Sequence, residues 1–348
     1  MNFKNNIYKI IFTPLIIYIL LIFLYLLFPK LFFFRSWEFF ETYVYKQNKK
    51  LSFQIKESGD SSRDYIFQKY KSKNTITINR FGNRVACYDS QKKKSVLVLG
   101  DSQTFGAGLS DNQTLPRLLC NKYQDTSIYN GSRKNTIHLT KAKNLNFNKI
   151  LFISAERVGF RMYCNASNLE YYTIRDYEND AYTLKNLSYF EFLKYQVKYL
   201  NNYLQSRSEA ILNPNKTISS PNEYILMMRH SHSKEIKFQE LDCIKRLDKL
   251  FRSNDYQVGF MYYPSKQTTL YNKLNIKLND ETINFIPKMT KLITEENIYT
   301  FDSKNCIDNK LRNDDIQVFN LHDTHLNFNG INILFNCLIK SEIGNLFN

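Results

Sequence analysis

Short apolar runs recur along the chain, each ending in polar residues or glycine. Such runs, rich in Val, Ile, Phe and Tyr, are typical of buried strands whose two faces are both covered. They occupy residues 96–99, 127–129, 149–154 and 257–263. Segments with apolar residues at helical spacing lie between and after them, at 114–120, 238–251 and 330–339. Strands that alternate with helices in this way predict an α/β fold with a parallel, doubly wound sheet.

Residues 10–28 form an uncharged and almost wholly apolar stretch near the N-terminus. A helix with a rise of about 1.5 Å per residue and this length would be close to the thickness of the bilayer hydrocarbon. No small-residue cleavage pattern follows, so we expect a single uncleaved transmembrane anchor rather than a removed signal peptide; a buried core helix is the alternative. Lysines on both sides leave the orientation open, and we expect residues 1–9 to be a short cytoplasmic tail and the body to be exported.

The segment after this stretch, residues 29–72, is polar and weakly helical, and we predict a juxtamembrane spacer. Residues 73–348 then form one large predicted domain, which begins with the alternating, strand-like residues 75–79. Residues 160–235 are rich in Tyr and Asn and are too long for an ordinary connection. We interpret them as an insertion with a helix at about 187–205, serving as a lid or as a substrate surface.

The net charge of the 348 residues is +16, and a basic surface can attract anionic polysaccharide, anionic lipid or nucleic acid. No compact block of Lys and Arg with interleaved aromatic residues stands out. We therefore predict no nucleic-acid partner and interpret the charge as a solvated lysine surface.

The six cysteines are widely spaced, and none forms a CxxC pair or a metal-ligand spacing, so zinc is not expected. Their even number permits disulfides outside the cytoplasm but does not require them. Cys120 and Cys337 lie in apolar helical patterns, and we predict that they are buried thiols.

Candidate chemistry follows the first of the apolar runs, where Gly-Asp-Ser ends in Ser102 and a glycine-rich turn comes next. Ligands bind at the carboxyl edge of such sheets, so we predict that Ser102 is a nucleophile. A serine hydroxyl needs a base, and the base needs an acidic partner that orients it. Asp323 and His325 supply both, because side chains two residues apart in extended backbone point to the same side. The predicted catalytic set is Ser102, His325 as base, and Asp323.

Two blocks around these residues resemble the SGNH (GDSL-type) hydrolase superfamily. Residues 100–108 resemble its nucleophile block, and residues 323–327 resemble its final Asp/His block. Residues 79–84 resemble a segment that often precedes the nucleophile strand, and Asn130-Gly131 stands where the superfamily supplies an oxyanion-hole glycine. The resemblance implies a three-layer, flavodoxin-like catalytic domain. It also implies oxyanion donors on Ser102 and Gly131, with Asn130 near the substrate.

The segment Tyr-Pro-Ser-Lys-Gln at 263–267 resembles the Pro-x-Lys segment of alginate-type polysaccharide O-acetyltransferases. This narrower resemblance implies acyl transfer to or from a sugar hydroxyl through an acyl-serine, without metal or other cofactor. Lys266 is expected either to contact the substrate or to form a structural ion pair. The third block departs from the superfamily, because Glu156-Arg157 stands where an oxyanion Asn is usual. The acetyltransferases are similar in having Glu-Arg there, so Arg157 is a candidate oxyanion residue.

These features together predict a membrane-anchored serine enzyme that adds or removes acyl groups on an envelope or exported polysaccharide. Its expected partners are that polysaccharide, the membrane and a membrane protein that donates acyl groups. Two alternatives stay open: an esterase or lipase for lipid or small esters, and a catalytically silent glycan-binding or assembly scaffold. The motifs do not distinguish a transferase from a hydrolase, because both use the same catalytic set.

Overall fold

The structure is a computed structural model of the chain. It describes residues 12–13, 15–24, 51–58, 71–78, 84–132, 147–163, 217–219, 225–227, 234–273, 276–320 and 324–348. The strands are β1 (Leu51–Ser58), β2 (Lys71–Ile78), β3 (Lys94–Gly100), β4 (Thr126–Asn130), β5 (Lys149–Ala155), β6 (Thr217–Ser219), β7 (Ile225–Met227), β8 (Gln257–Tyr263) and β9 (Tyr299–Thr300). The α-helices with assigned bounds are α1 (Ser102–Phe105), α2 (Leu115–Lys122), α3 (Lys234–Arg252), α4 (Lys266–Leu270), α5 (Asp280–Ile283), α6 (Phe285–Glu295), α7 (Ser303–Asn313) and α8 (Phe328–Leu338).

The central sheet has five described strands, all parallel, in the order β4-β3-β5-β8-β9. Counted along the chain, this is the flavodoxin-like order 2-1-3-4-5 of doubly wound folds. The order reverses between β3 and β5, because β4 lies on one side of β3 and the next strand, β5, lies on the opposite side of β3. In such sheets the ligand crevice forms outside the carboxyl ends of the two strands at this reversal.

Helices cover both faces of the sheet, and each face has its own apolar core. On one face, alternate residues of β3, β5 and β8 pack against α3 and α6, with Phe152 and Phe260 stacked at 5.2 Å between ring centroids. On the other face, the intervening residues pack against α2, α7 and α8. The strands are therefore buried on both sides, which confirms the predicted three-layer α/β fold.

The apolar runs at 96–99, 127–129, 149–154 and 257–263 lie in β3, β4, β5 and β8, as predicted. The predicted helices at 114–120, 238–251 and 330–339 correspond to α2, α3 and α8. The hydroxyl of Thr114 caps α2 by accepting the Arg117 N–H (3.4 Å), and Pro116 stands in the first turn of that helix.

Other parts of the chain differ from the predictions. The segment predicted as a weakly helical spacer contains β1, which pairs antiparallel with β2. The helices α6 and α7 and the short edge strand β9 were not predicted; β9 has only two residues, too few for a periodic pattern. Within the predicted insertion, the structure describes residues 160–163, with 3₁₀ geometry, and the antiparallel pair β6-β7. The helix expected at about 187–205 lies outside the described residues.

Residues 12–13 and 15–24 are helical, and most of their large apolar side chains are exposed. Ile16, for example, is 54% exposed and Phe23 is 61% exposed. Among the described residues, no helix combines the length and the hydropathy needed to cross a membrane. The predicted anchor at 10–28 extends beyond the described residues at both ends and stays a prediction.

Two disulfide bonds lie within the described part of the chain, Cys87–Cys120 and Cys306–Cys337. The prediction that Cys120 and Cys337 are buried thiols is therefore wrong. Apolar helical spacing describes one side of each helix only. It does not reveal that Cys87 and Cys306 approach from neighbouring segments, with Cα–Cα distances of 5.9 and 6.3 Å.

Candidate active site

Ser102 lies where the strand order reverses, one residue beyond the acid that follows β3. Asp101 is the N-cap of α1, and its Oδ1 accepts the N–H of Gln103 (2.8 Å). Its Oδ2 accepts the N–H of Ala155 at the end of β5 (2.9 Å). Asp101 therefore braces the turn and ties together the carboxyl ends of β3 and β5, while Ser102 opens the short helix at the crevice.

Two glycines allow this tight turn. A Cβ on Gly100 would lie 2.0 Å from the Thr104 hydroxyl and 2.8 Å from the carbonyl oxygen of Ile153. Gly106 ends α1 with φ of +82°, in the left-handed region that favours glycine.

A buried arginine holds the same turn from outside. Arg84 donates from Nη1 to the carbonyl oxygens of Phe105 (3.0 Å) and Gly106 (2.7 Å), and from Nη2 to that of Leu109 (2.5 Å). Its Nε lies 2.9 Å from the carboxylate of Asp111. Residues 79–84 take part in the resemblance to the superfamily, but the sequence predicted no role for the Arg84 side chain.

The structure brings Ser102 and His325 together. The Ser102 Oγ lies 2.7 Å from the His325 Nε2, and the imidazole is buried. In the tautomer with its proton on Nδ1, His325 accepts the serine proton at Nε2, which is the geometry of a general base on a nucleophile. Asp323, the predicted orienting acid, lies outside the described residues.

The loop that carries His325 is held by a short antiparallel contact. The His325 carbonyl oxygen accepts the N–H of Asn320 (3.0 Å), and the N–H of Asn327 is bonded to Val318 (3.0 Å). Lys266 is 2% exposed and donates from Nζ to the carbonyl oxygen of Asn320 (2.5 Å). This contact is structural, and substrate contact by Lys266 stays a prediction.

The predicted oxyanion donors have different surroundings. The Ser102 N–H has no acceptor among the described residues, and it stands in the first turn of α1, where such groups are free to bind anions. The Gly131 N–H instead donates to the Val98 carbonyl oxygen at 2.8 Å, as an extension of the β3-β4 ladder. This bond occupies the donor in the structure, and the oxyanion role of Gly131 stays a prediction.

Asn130, predicted to lie near the substrate, is buried. Its Nδ2 lies 3.5 Å from the Thr104 carbonyl oxygen, and its Oδ1 accepts the N–H (3.2 Å) and the hydroxyl (2.5 Å) of Ser132. These bonds join the end of β4 to the nucleophile helix, and contact of Asn130 with a substrate stays a prediction.

A cleft adjoins the Ser102–His325 pair. It is partly open to solvent, its exposed surface is more apolar than polar, and its lining includes Gln103 and Thr324, the chain neighbours of the pair. Eight of its ten lining residues carry a hydroxyl, amide or cationic group. Arg157, the other candidate oxyanion residue, is half-buried in this lining. Ser102 and His325 themselves are not among the lining residues.

Glu156 is a buried carboxyl between β5 and the cleft. Its Oε2 accepts the Ser265 N–H (2.8 Å) and the Thr268 hydroxyl (2.5 Å), whereas its Oε1 has no hydrogen-bond partner among the described residues. Burial raises the pKa of Glu156 to about 7, against the opposing effect of these hydrogen bonds and of Lys304. The folded protein therefore favours the protonated carboxyl more than water does.

The sequence matches no protein-family model and no curated protein. The chain is similar to a crystal structure of a member of the lipolytic protein G-D-S-L family from Veillonella parvula. The two chains are 9% identical; the superposition has a TM-score of 0.37 and covers 72% of this chain and 98% of that chain. A likeness at this level concerns the course of the backbone and says nothing of activity.

Proposed function

We propose that this protein is a serine-dependent acyl-transfer enzyme that adds or removes acyl groups on an envelope or exported polysaccharide. The observation that carries the proposal is the 2.7 Å contact between Ser102 Oγ and His325 Nε2 at the reversal point of the sheet. A buried imidazole on a serine hydroxyl, beside a main-chain N–H that has no acceptor among the described residues, is what nucleophilic catalysis on esters requires.

The proposed reaction has two halves. Ser102 Oγ attacks the carbonyl carbon of an ester while His325 Nε2 takes the hydroxyl proton, and the oxyanion binds the Ser102 N–H. His325 then gives that proton to the leaving alkoxide, and an acyl-serine remains. In the second half, His325 takes a proton from water or from a sugar hydroxyl, whose oxygen attacks the acyl-serine and releases Ser102. Water yields a hydrolase, and a sugar hydroxyl yields a transferase.

The cleft beside the pair offers both hydrogen-bonding groups and apolar surface to a substrate. Eight of its ten lining residues carry a hydroxyl, amide or cationic group, but more of its exposed surface is apolar than polar. A sugar ring presents hydroxyl groups and apolar C–H faces to such a surface. The choice of a sugar ester over a lipid ester rests on the resemblance of residues 263–267 to the polysaccharide O-acetyltransferases.

Two further observations support the proposed place of action. The described helical residues at 12–24 expose large apolar side chains, as a membrane anchor requires. Disulfides such as Cys87–Cys120 persist in oxidising surroundings outside the cytoplasm. We propose an anchored protein with an exported catalytic domain.

The test uses the full-length chain in detergent, with Ser102→Ala as the matched variant. We expect a fluorophosphonate to label the wild-type protein once per chain, and p-nitrophenyl acetate to be cleaved with an initial burst. Both signals should vanish in Ser102→Ala while its thermal unfolding is unchanged. Acetate appearing on an added oligosaccharide identifies the transferase, and acetate released to water identifies the hydrolase. A wild-type protein with neither labelling nor burst would overturn the proposal.

A further inference from the structure

We propose that Gln103 is a positioning residue that holds the main chain on both sides of His325, and with it the imidazole against Ser102. This inference rests on the proposed function. The side-chain Oε1 of Gln103 accepts the N–H of Leu326 (3.1 Å), and its Nε2 lies 3.4 Å from the carbonyl oxygen of Thr324. One carboxamide therefore spans the residue that carries the general base.

The two main-chain groups that Gln103 contacts lie on either side of His325, in the loop between α7 and α8. The His325 carbonyl oxygen itself accepts the Asn320 N–H (3.0 Å), next to the isolated antiparallel bridge between Phe319 and Leu326. Main-chain bonds to residues 318–320 therefore hold this loop on the side of α7, and the Gln103 amide holds it through Thr324 and Leu326.

Only one orientation of the carboxamide satisfies both contacts. Its oxygen must face the Leu326 N–H and its nitrogen must face the Thr324 carbonyl, since the reverse would oppose like groups. Gln103 and Leu326 are both buried, so loss of the carboxamide removes the hydrogen-bond partner of a buried N–H. Only an amide side chain of this length can both accept from the Leu326 N–H and donate to the Thr324 carbonyl. Neither a carboxylate nor an apolar group can make this pair of contacts.

The position of Gln103 in the chain makes it a brace for the nucleophile as well. It follows Ser102 directly, and its own N–H is bonded to the Asp101 carboxylate (2.8 Å). The main chain of the nucleophile turn and the loop of the base are therefore linked one residue away from the 2.7 Å contact between Ser102 and His325. A shift of the base by about 1 Å can cost about 100-fold in rate.

The test measures kcat and KM for p-nitrophenyl acetate in full-length Gln103→Met, which keeps the length of the side chain and removes both hydrogen bonds. Rates are expressed per site titrated with fluorophosphonate, so that misfolded chains are not counted. We expect kcat to fall about 10- to 100-fold with KM within about twofold of the wild-type value. Gln103→Glu, which places a carboxylate oxygen against the Thr324 carbonyl, should fall at least as far.

The control is Gln113→Met, which removes another hydrogen bond between a glutamine side chain and the main chain, in which Oε1 accepts the Ser110 N–H (2.9 Å). This variant should keep the wild-type kcat.

If both Gln103 variants retain wild-type kcat per titrated site, or if only the KM for an oligosaccharide rises, the positioning role is wrong and the proposed function stands. If Gln103→Met yields too few titratable sites, the kcat of Gln103→Glu per titrated site tests the positioning role. A wild-type protein that neither labels nor turns over overturns the proposed function itself, and the inference with it.

Discussion

The guanidinium of Arg84 lies 2.9 Å from the carboxylate of Asp111, and this pair connects the segment before the nucleophile strand to the turn after it. Asp111 also accepts the N–H of Thr77 in β2 (3.2 Å), so the contact extends to the hairpin of β1 and β2. Three further hydrogen bonds of Arg84 go to main-chain carbonyls of the nucleophile turn. A side chain outside the catalytic set therefore determines where that turn can lie.

Replacing Arg84 by Met should destabilise the protein by about 3–5 kcal/mol, the range for breaking a buried ion pair. The variant leaves the Gly106 and Leu109 carbonyl oxygens without their donor. Chemical denaturation of the full-length protein in detergent measures the effect. Lys273→Met is the matched control, because its pair with Asp315 is exposed and such pairs contribute about 0–1 kcal/mol. Equal shifts in the two variants would contradict the proposed importance of burial.

Glu156 should make the stability depend on pH. Its pKa is about 7 in the folded protein, against the ordinary value of 4.5 for a glutamate side chain in water, so the folded state binds the proton more tightly. The stabilisation from this proton is fully present below about pH 4.5 and is lost as the pH rises through about 7. Glu156→Gln keeps a neutral side chain at all pH values. The variant should therefore gain stability relative to the wild type between pH 5 and pH 8, by up to about 3 kcal/mol.

The measurement for Glu156 is the free energy of unfolding of both proteins across this pH range. A difference that does not change between pH 5 and pH 8 would show that the carboxyl is ionised throughout in the folded protein.

The Cys306–Cys337 bond should stabilise the loop that carries the base. These cysteines lie on α7 and α8, and His325 lies in the segment that the bond closes. The double variant Cys306→Ser, Cys337→Ser should lose about 2–4 kcal/mol of stability. The change is read as a lower midpoint of thermal unfolding without reductant. With reductant, the midpoint of the wild-type protein should approach that of the double variant. If neither the double variant nor the reduced wild-type protein has a lower midpoint, the bond does not contribute to stability.

Arg157 should contribute to rate rather than to folding if it helps to hold the oxyanion. Arg157→Met is then expected to lower kcat for p-nitrophenyl acetate by about 100- to 1000-fold, the range for losing one oxyanion donor. The midpoint of thermal unfolding should change little, because the side chain is half-buried at the cleft. If kcat is unchanged and only the KM for an oligosaccharide rises, Arg157 is a substrate contact and the oxyanion role is wrong.

Local patterns in the sequence were enough to predict most of the central fold. Apolar runs predicted the strands β3, β4, β5 and β8, because burial on both faces leaves a continuous apolar signal. Thr114 and Pro116 marked the start of α2, because capping and proline preferences act within one helical turn. The same locality explains why β9 was missed, since two residues carry no period.

The residue types at the site were also visible in the sequence, but their contacts were not. Serine after a strand and histidine near the C-terminus indicated the pair, because nucleophilic catalysis needs both groups. Gly131 donates its N–H to Val98, and Gln103 bonds to both chain neighbours of His325. Both contacts depend on the order of the strands and on the course of the loops. A hydrogen bond between residues far apart in the chain produces no periodic pattern in the sequence.

The sequence by itself determined the strand segments, the covered faces and the residues able to do chemistry, because each depends on side chains a few positions apart. Tertiary structure alone decided that β5 returns beside β3 and that the cysteines pair as they do. It also decided that the Ser102 N–H has no acceptor in the part of the chain that the structure describes. These outcomes depend on packing two sheet faces at once, where a donor is either used by a neighbouring strand or left for a ligand.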